Sequence, residues 1–88
     1  MANNIDKSVM DTIKEKYEDI FPAEKKVADF ILANSEKAVN ANVSELANYS
    51  DVSDATVIRF CKHLGYEGYY QLRINLSRDL GREQKIED

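Results

Sequence analysis

Glycine occurs three times in this chain, proline and cysteine once each, and tryptophan not at all. A lone Cys61 cannot build an internal disulfide framework, which suits a reducing compartment. Cys61 and the one histidine, His63, stand two residues apart. That is too few ligands for a zinc site, and no metal or other cofactor is expected. No apolar run approaches the roughly 18 residues of a membrane span, so no membrane partner is expected. The opening MANNIDKSVMD lacks a basic-then-apolar stretch, so no secretory leader is read, and the expected location is cytoplasmic. There is no Gly-rich phosphate loop. No serine, cysteine or acid is placed to complete a catalytic site with His63. The chain is therefore not expected to be an enzyme.

What remains is 88 residues, 43% hydrophobic and 32% charged. That is one small globular domain, able to bury roughly 60% of its unfolded surface. The formal net charge is −4, which argues against nucleic acid when taken whole. The distribution leaves two readings level, a face for nucleic acid or an ordinary solvated helix surface. Residues 1–52 hold six lysines against ten acids, whereas residues 53–82 hold Arg59, Lys62, Arg73, Arg78 and Arg82 against Asp54, Glu67 and Asp79. All four arginines lie in that second block, and arginine is the side chain best shaped to fork onto phosphates and guanine edges.

The apolar spacing is helical nearly throughout, so the fold class is all-α, a small bundle of five or six helices. A first helix over about Asp6–Tyr17 carries a narrow stripe of Val9, Ile13 and Tyr17, a candidate dimer interface. Pro22 opens a second helix at the position where its missing N–H costs nothing. Phe21 then occupies its cap, Glu24 favours its dipole, and Ala23, Val27, Phe30 and Ile31 form its buried face. Ser35 caps a short turn over Glu36–Val39. A last helix from near Gly68 to about Leu80 carries Tyr69, Leu72, Leu76 and Leu80 inward. Tyr70 and Ile74 make a second stripe, for a partner or for the flank of the first helix.

The middle of the chain is the informative part. Asn42 and Glu45 form a capping-box pattern for a two-turn helix with Leu46 and Ala47 inside. Ser50-Asp51-Val52 reads as a tight turn, and Ser53 caps the next helix. Val57, Phe60, Cys61 and Leu64 make a clean core stripe, and Gly65 supplies a left-handed stop that lets Tyr66 pack back near Cys61. Two short helices joined by such a turn are a helix-turn-helix, here over about residues 43–62. Ala47 lets the helices cross closely. Asp51 stands where glycine is common, and aspartate tolerates the left-handed region better than most residues.

At this point the chain resembles a known family, the N-terminal domain of RpiR-type bacterial transcription regulators. The resemblance rests on Pro22-Ala23-Glu24-Lys25-Lys26-Val27-Ala28-Asp29-Phe30-Ile31-Leu32, on Ser44-Glu45-Leu46-Ala47, on the run Val52 to Tyr66, and on Gly68-Tyr69-Tyr70-Gln71-Leu72-Arg73. It spans about residues 5–81. Phe21 departs from the small polar residue usual before the family's proline. The resemblance implies a DNA-binding domain over 1–81 and a polar tail over 82–88 that starts a linker. It also implies a sugar-phosphate-binding domain, absent here, through which a sugar-phosphate effector would act on sugar or amino-sugar metabolism.

The expected partner is double-stranded DNA, with Asp54 to Lys62 in the major groove. Paired half-sites imply a homodimer. The candidate contacts are Ser44, Ser53, Asp54, Ala55, Thr56, Ile58, Arg59, Lys62 and His63. Most have a second reading beside the first. Arg59 forks onto a base or a phosphate, or pairs with a surface carboxylate. Ser53 caps the helix and also donates to a phosphate, or only caps. Thr56 meets a base, or bonds its own helix. Asp54 favours the helix start and repels phosphates unless it accepts from cytosine. Ser44 holds a phosphate, or only begins a helix. Lys62 and His63 touch the backbone, or are plain surface. Cys61 is a small buried hydrophobe rather than a redox sensor. The rival function is a protein-interaction or dimerisation module on the same scaffold without DNA.

Overall fold

A computed structural model of the chain describes residues 7–86, with side-chain surroundings through residue 81. Six helices follow one another with no strand among the described residues: α1 (Val9–Lys16), α2 (Pro22–Ala33), α3 (Ser35–Val39), α4 (Val43–Ser50), α5 (Asp54–His63) and α6 (Tyr69–Ile86), with a 3-10 turn at Tyr17–Asp19. The expected all-α bundle is present.

Helix α1 begins at Val9 because Ser8 caps it, its Oγ accepting from the Asp11 amide at 3.0 Å. The expected start at Asp6 lies outside the described residues. A second acceptor comes from far along the chain, where Asp79 Oδ2 takes the Val9 amide at 2.7 Å. Helix α1 packs on α6, and Val9 and Ile13 are fully buried. Two of the three residues read as a dimer interface are therefore covered by the domain itself, and Tyr17 is half-buried. Its narrowness misled because α6 supplies the cover from seventy residues away.

Helix α2 starts at Pro22 as expected, but its face is rotated. Glu24, Val27, Ala28 and Ile31 are buried, Ala23 is exposed and Phe30 is half-buried. Helix α3 begins at Ser35 itself and has no side-chain cap. Its carbonyl end is closed by α6. The Tyr69 hydroxyl reaches the Ala38 and Ala41 carbonyls at 3.0 and 2.5 Å, and Arg73 Nε donates to Val39 O at 2.7 Å. These bonds satisfy carbonyls that a helix end leaves open.

Tyr69, Leu72 and Leu76 are buried as expected, and Leu80 is half-buried. Tyr70 and Ile74 stand free, 74% and 41% exposed. Helix α6 runs through Gly81 to Ile86 rather than stopping near Leu80. The core is shared by α2, α4, α5 and α6 around Phe60, Ile31, Leu46 and Leu72. It leaves one side of α5 uncovered.

Candidate nucleic-acid interface

Helix α4 is closed at its start by the expected capping box. Asn42 Oδ1 accepts from the Glu45 amide at 2.8 Å, and Glu45 Oε1 accepts from the Asn42 amide at 2.9 Å. At its end Asp51 adopts φ 62°, ψ 47°, the only positive φ of a non-glycine residue among those described. The Asp51 amide donates to Asn48 O at 3.1 Å and the Val52 amide to Ala47 O at 2.9 Å. This paired closure turns the chain sharply, and the buried Ala47 leaves room for α5 to cross.

Ser53 Oγ caps α5 by accepting from the Thr56 amide at 3.2 Å. Val57, Phe60, Cys61 and Leu64 anchor it from one side. Burial pushes the Cys61 thiol up to about 12, which keeps it an inert thiol. Beyond the helix, Gly65 takes φ +103°, and the Tyr66 amide returns to Cys61 O at 3.0 Å. The helix is thus fixed at both ends before any ligand arrives.

At about 100° per residue, the uncovered side of α5 presents Asp54, Ala55, Ile58, Arg59, Lys62 and His63. Ala55, Arg59 and Lys62 are exposed, and Ile58 is half-buried where it leans on the core. Thr56 departs from expectation. It is only 6% exposed, so its side chain does not face outward. Its Oγ1 lies 3.1 Å from Ser53 Oγ and accepts from Arg59 Nη2 at 3.4 Å. Residue 56 falls on the edge of the core stripe, one step past the boundary drawn from sequence. Thr56 supports Arg59 from beneath.

The two edges of this face are also held. Ser44 Oγ, in the first turn of α4, donates to Asp54 Oδ2 at 2.8 Å, and both residues are exposed. On the opposite edge, His63 Nδ1 lies 2.6 Å from Glu24 Oε1, and the His63 ring meets Phe21 edge-on at 5.4 Å. Glu24 is 1% exposed, and its Oε2 has no hydrogen-bond partner. Sequence reasoning gave Glu24 only a dipole role. The available signal was its place on the stripe of Val27, Ala28 and Ile31, three, four and seven residues on. Arg73, one of the four arginines of the second block, donates its Nε to the Val39 carbonyl at the end of α3.

Among the described residues, no cluster of His, Cys, Asp and Glu is arranged to hold a metal ion. No described helix is long and apolar enough to cross a membrane. What the arrangement offers is a protruding, doubly capped helix with one cation from Arg59, one from Lys62, and apolar atoms from Ala55 and Ile58.

The family described as helix-turn-helix domain, rpiR family, matches residues 7–83. The chain is 43% identical over 61 residues to the HTH-type transcriptional regulator YbbH of Bacillus subtilis, covering 69% of this chain and 22% of that protein. The crystal structure of the N-terminal domain of ybbH superposes with a TM-score of 0.75 at 36% identity, over 78% of this chain and 84% of that one. NanR of Vibrio vulnificus, complexed with ManNAc-6P, superposes with a TM-score of 0.81 at 30% identity, over 86% of this chain and 29% of that one. A bifunctional protein glk of Paraburkholderia xenovorans is 33% identical over 79 residues, which are 90% of this chain and 12% of that protein. This chain spans about a quarter of the length of the curated regulators it matches.

Proposed function

This chain belongs to the RpiR family of helix-turn-helix domains, and from that membership we propose that α5 lies in the major groove of duplex DNA. A DNA-binding regulatory domain is the function its relatives share. The finer assignment is by residue. Arg59 forks onto a guanine edge, or onto a phosphate one step aside. Ala55 and Ile58 offer apolar contact to a thymine methyl. Lys62 takes a phosphate, and Ser53 donates to the backbone once the groove is engaged, while Ser44 does so only by giving up its bond to Asp54. Asp54 accepts from Ser44 and keeps its charge from facing a phosphate alone. Thr56 holds Arg59 and touches no base.

The observation that carries this reading is the outward side of α5, rigidly capped at both ends and bearing Arg59 and Lys62 free of any carboxylate partner within the described residues. Both ends of the helix-turn-helix are closed by local bonds, so little ordering remains to be done on binding.

Paired half-sites call for a homodimer. With Val9 and Ile13 buried, an exposed apolar pair on one helix that could serve it is Tyr70 and Ile74 on α6. A sugar phosphate acting through a further domain is supported by NanR, whose structure holds ManNAc-6P and whose first part resembles this chain. On this reading the polar residues 82–88 lead toward such a domain, and the protein works in the cytoplasm, where the chromosome is. The relatives named as regulators support a role without catalysis.

Selection of bound sequences from a random duplex pool tests the reading, with a palindromic consensus expected. Binding should also fall log-linearly with salt, at about −0.9 per phosphate contacted. Affinity for duplex that ignores salt would favour the rival interaction module, which the net charge of −4 and the bare Tyr70 support.

A further inference from the structure

The uncovered side of α5 has a neighbour at each edge. Ser44 stands at the Asp54 edge, and the first turn of α2 stands at the His63 edge. In that turn Phe21 is 60% exposed, with its ring edge-on to His63. It occupies the N-cap of α2, where Ser, Thr, Asp and Asn are preferred because they accept from a first-turn amide. A phenyl ring accepts nothing. The one side-chain bond left at this end is long, the Phe21 amide to Glu24 Oε1 at 3.5 Å. In the free domain this residue forfeits a cap and exposes a large apolar ring at once.

We propose that Phe21 and His63 form a second lip of the DNA site and lie against the sugar-phosphate backbone of the strand bordering α5 on the α2 side. The proposal rests on the DNA-binding reading above. A helix with its side chains is about 10–12 Å across, and the major groove is about 12 Å wide. The helix therefore fills the groove, and groups beside it meet strand backbones rather than base edges. Deoxyribose presents C–H surface that a phenyl ring can cover. Glu24 is a positioning residue: its buried carboxylate holds the His63 ring from below at 2.6 Å and keeps its own charge away from the strand. The lip is continuous with the α5 face, because Phe21 and His63 are in contact.

The test is Phe21→Ser in the full 88-residue chain, read by thermal unfolding and by anisotropy with a mixed-sequence duplex. The serine restores a cap, so Tm should rise by a few degrees. Loss of the ring should weaken duplex binding about five- to tenfold. The loss should be the same on a selected site, because backbone contacts carry no sequence information. Damage to the fold would move stability and affinity in the same direction. Phe21→Tyr keeps the ring and should keep the affinity. A fall in Tm with Phe21→Ser would make the ring structural and overturn the lip. Unchanged affinity, with the wild type binding and Arg59→Ala weakened, would overturn the lip and leave the DNA reading standing. Failure of the wild-type chain to bind any duplex would remove both. Loss of self-association in sedimentation, with monomer affinity unchanged, would assign the ring to a second copy of the chain and overturn the lip.

Discussion

The hydroxyl of Ser44 donates to Asp54 Oδ2 at 2.8 Å and thereby joins the first turns of the two helices of the helix-turn-helix. Two residues read as separate phosphate or base contacts are one unit in the free domain. Asp54 still brings a negative charge to the edge of the proposed groove-facing surface. Asp54→Asn keeps the shape and an acceptor for Ser44, and it removes that charge. Affinity for a mixed-sequence duplex should rise severalfold at low salt, while sequence discrimination falls. An unchanged isotherm would mean that Asp54 stands away from the phosphates.

Arg59 and Lys62 should separate by kind. Arg59→Ala should cost about 1–3 kcal/mol on the selected sequence and relax specificity at one position. Lys62→Ala should weaken all sequences alike and reduce the salt slope by about 1. Competition binding with single-base variants of the selected site distinguishes the two. Identical profiles for both variants would refute the base-reading role of Arg59.

His63→Ala leaves the buried Glu24 carboxylate without its short bond. The expected loss is about 1–3 kcal/mol by urea unfolding. Adding Glu24→Met removes the stranded group and should recover most of that loss, because neither partner is then left unpaired. A double variant no more stable than the single would show that the pair matters by packing alone.

Asp51 carries the left-handed turn between α4 and α5. Its ion pair with Lys26, at 3.9 Å and well exposed, contributes little. Asp51→Ala should lose about 1 kcal/mol, since alanine tolerates positive φ less well. Asp51→Gly should be at least as stable as the parent. Thermal melts of the three proteins check the order.

The Cys61 thiol has an ordinary value of 9.0 and is pushed by burial to about 12. The folded state therefore holds its proton more tightly than the unfolded state. That contribution is fully present below pH 9 and is lost as pH climbs from 9 toward 12. Burial also raises Tyr66 and Tyr69, and both add to the same alkaline loss. Cys61→Ala should be less stable at pH 7 and show a shallower decline above pH 9. Alkylation of Cys61 should proceed in urea and be strongly suppressed in the native protein.

Much of the helix-turn-helix could be read in advance because its determinants are local. The Asn42–Glu45 box, the left-handed Asp51, the Ser53 cap and the Gly65 stop each involve residues within a few positions of one another. The errors came from distant partners. Val9 and Ile13 read as a free stripe because their cover, α6, is far along the chain, and Glu24 was given only a dipole role because its partner, His63, is distant too. Thr56 failed for a different reason. It sits where the core stripe and the outward face meet, and the helix period alone does not assign an edge residue to either.

The carboxylate of Asp79 on the Val9 amide acts as a buckle that closes the described chain on itself. The outermost helices share this bond and the buried Val9 and Ile13, so loosening α6 here loosens α1. A protease cut within α6 ahead of Asp79 would therefore loosen α1 as well, because α1 packs on α6. The last helix is thus tied to both ends of the bundle, to α1 through Asp79 and to α3 through Tyr69 and Arg73.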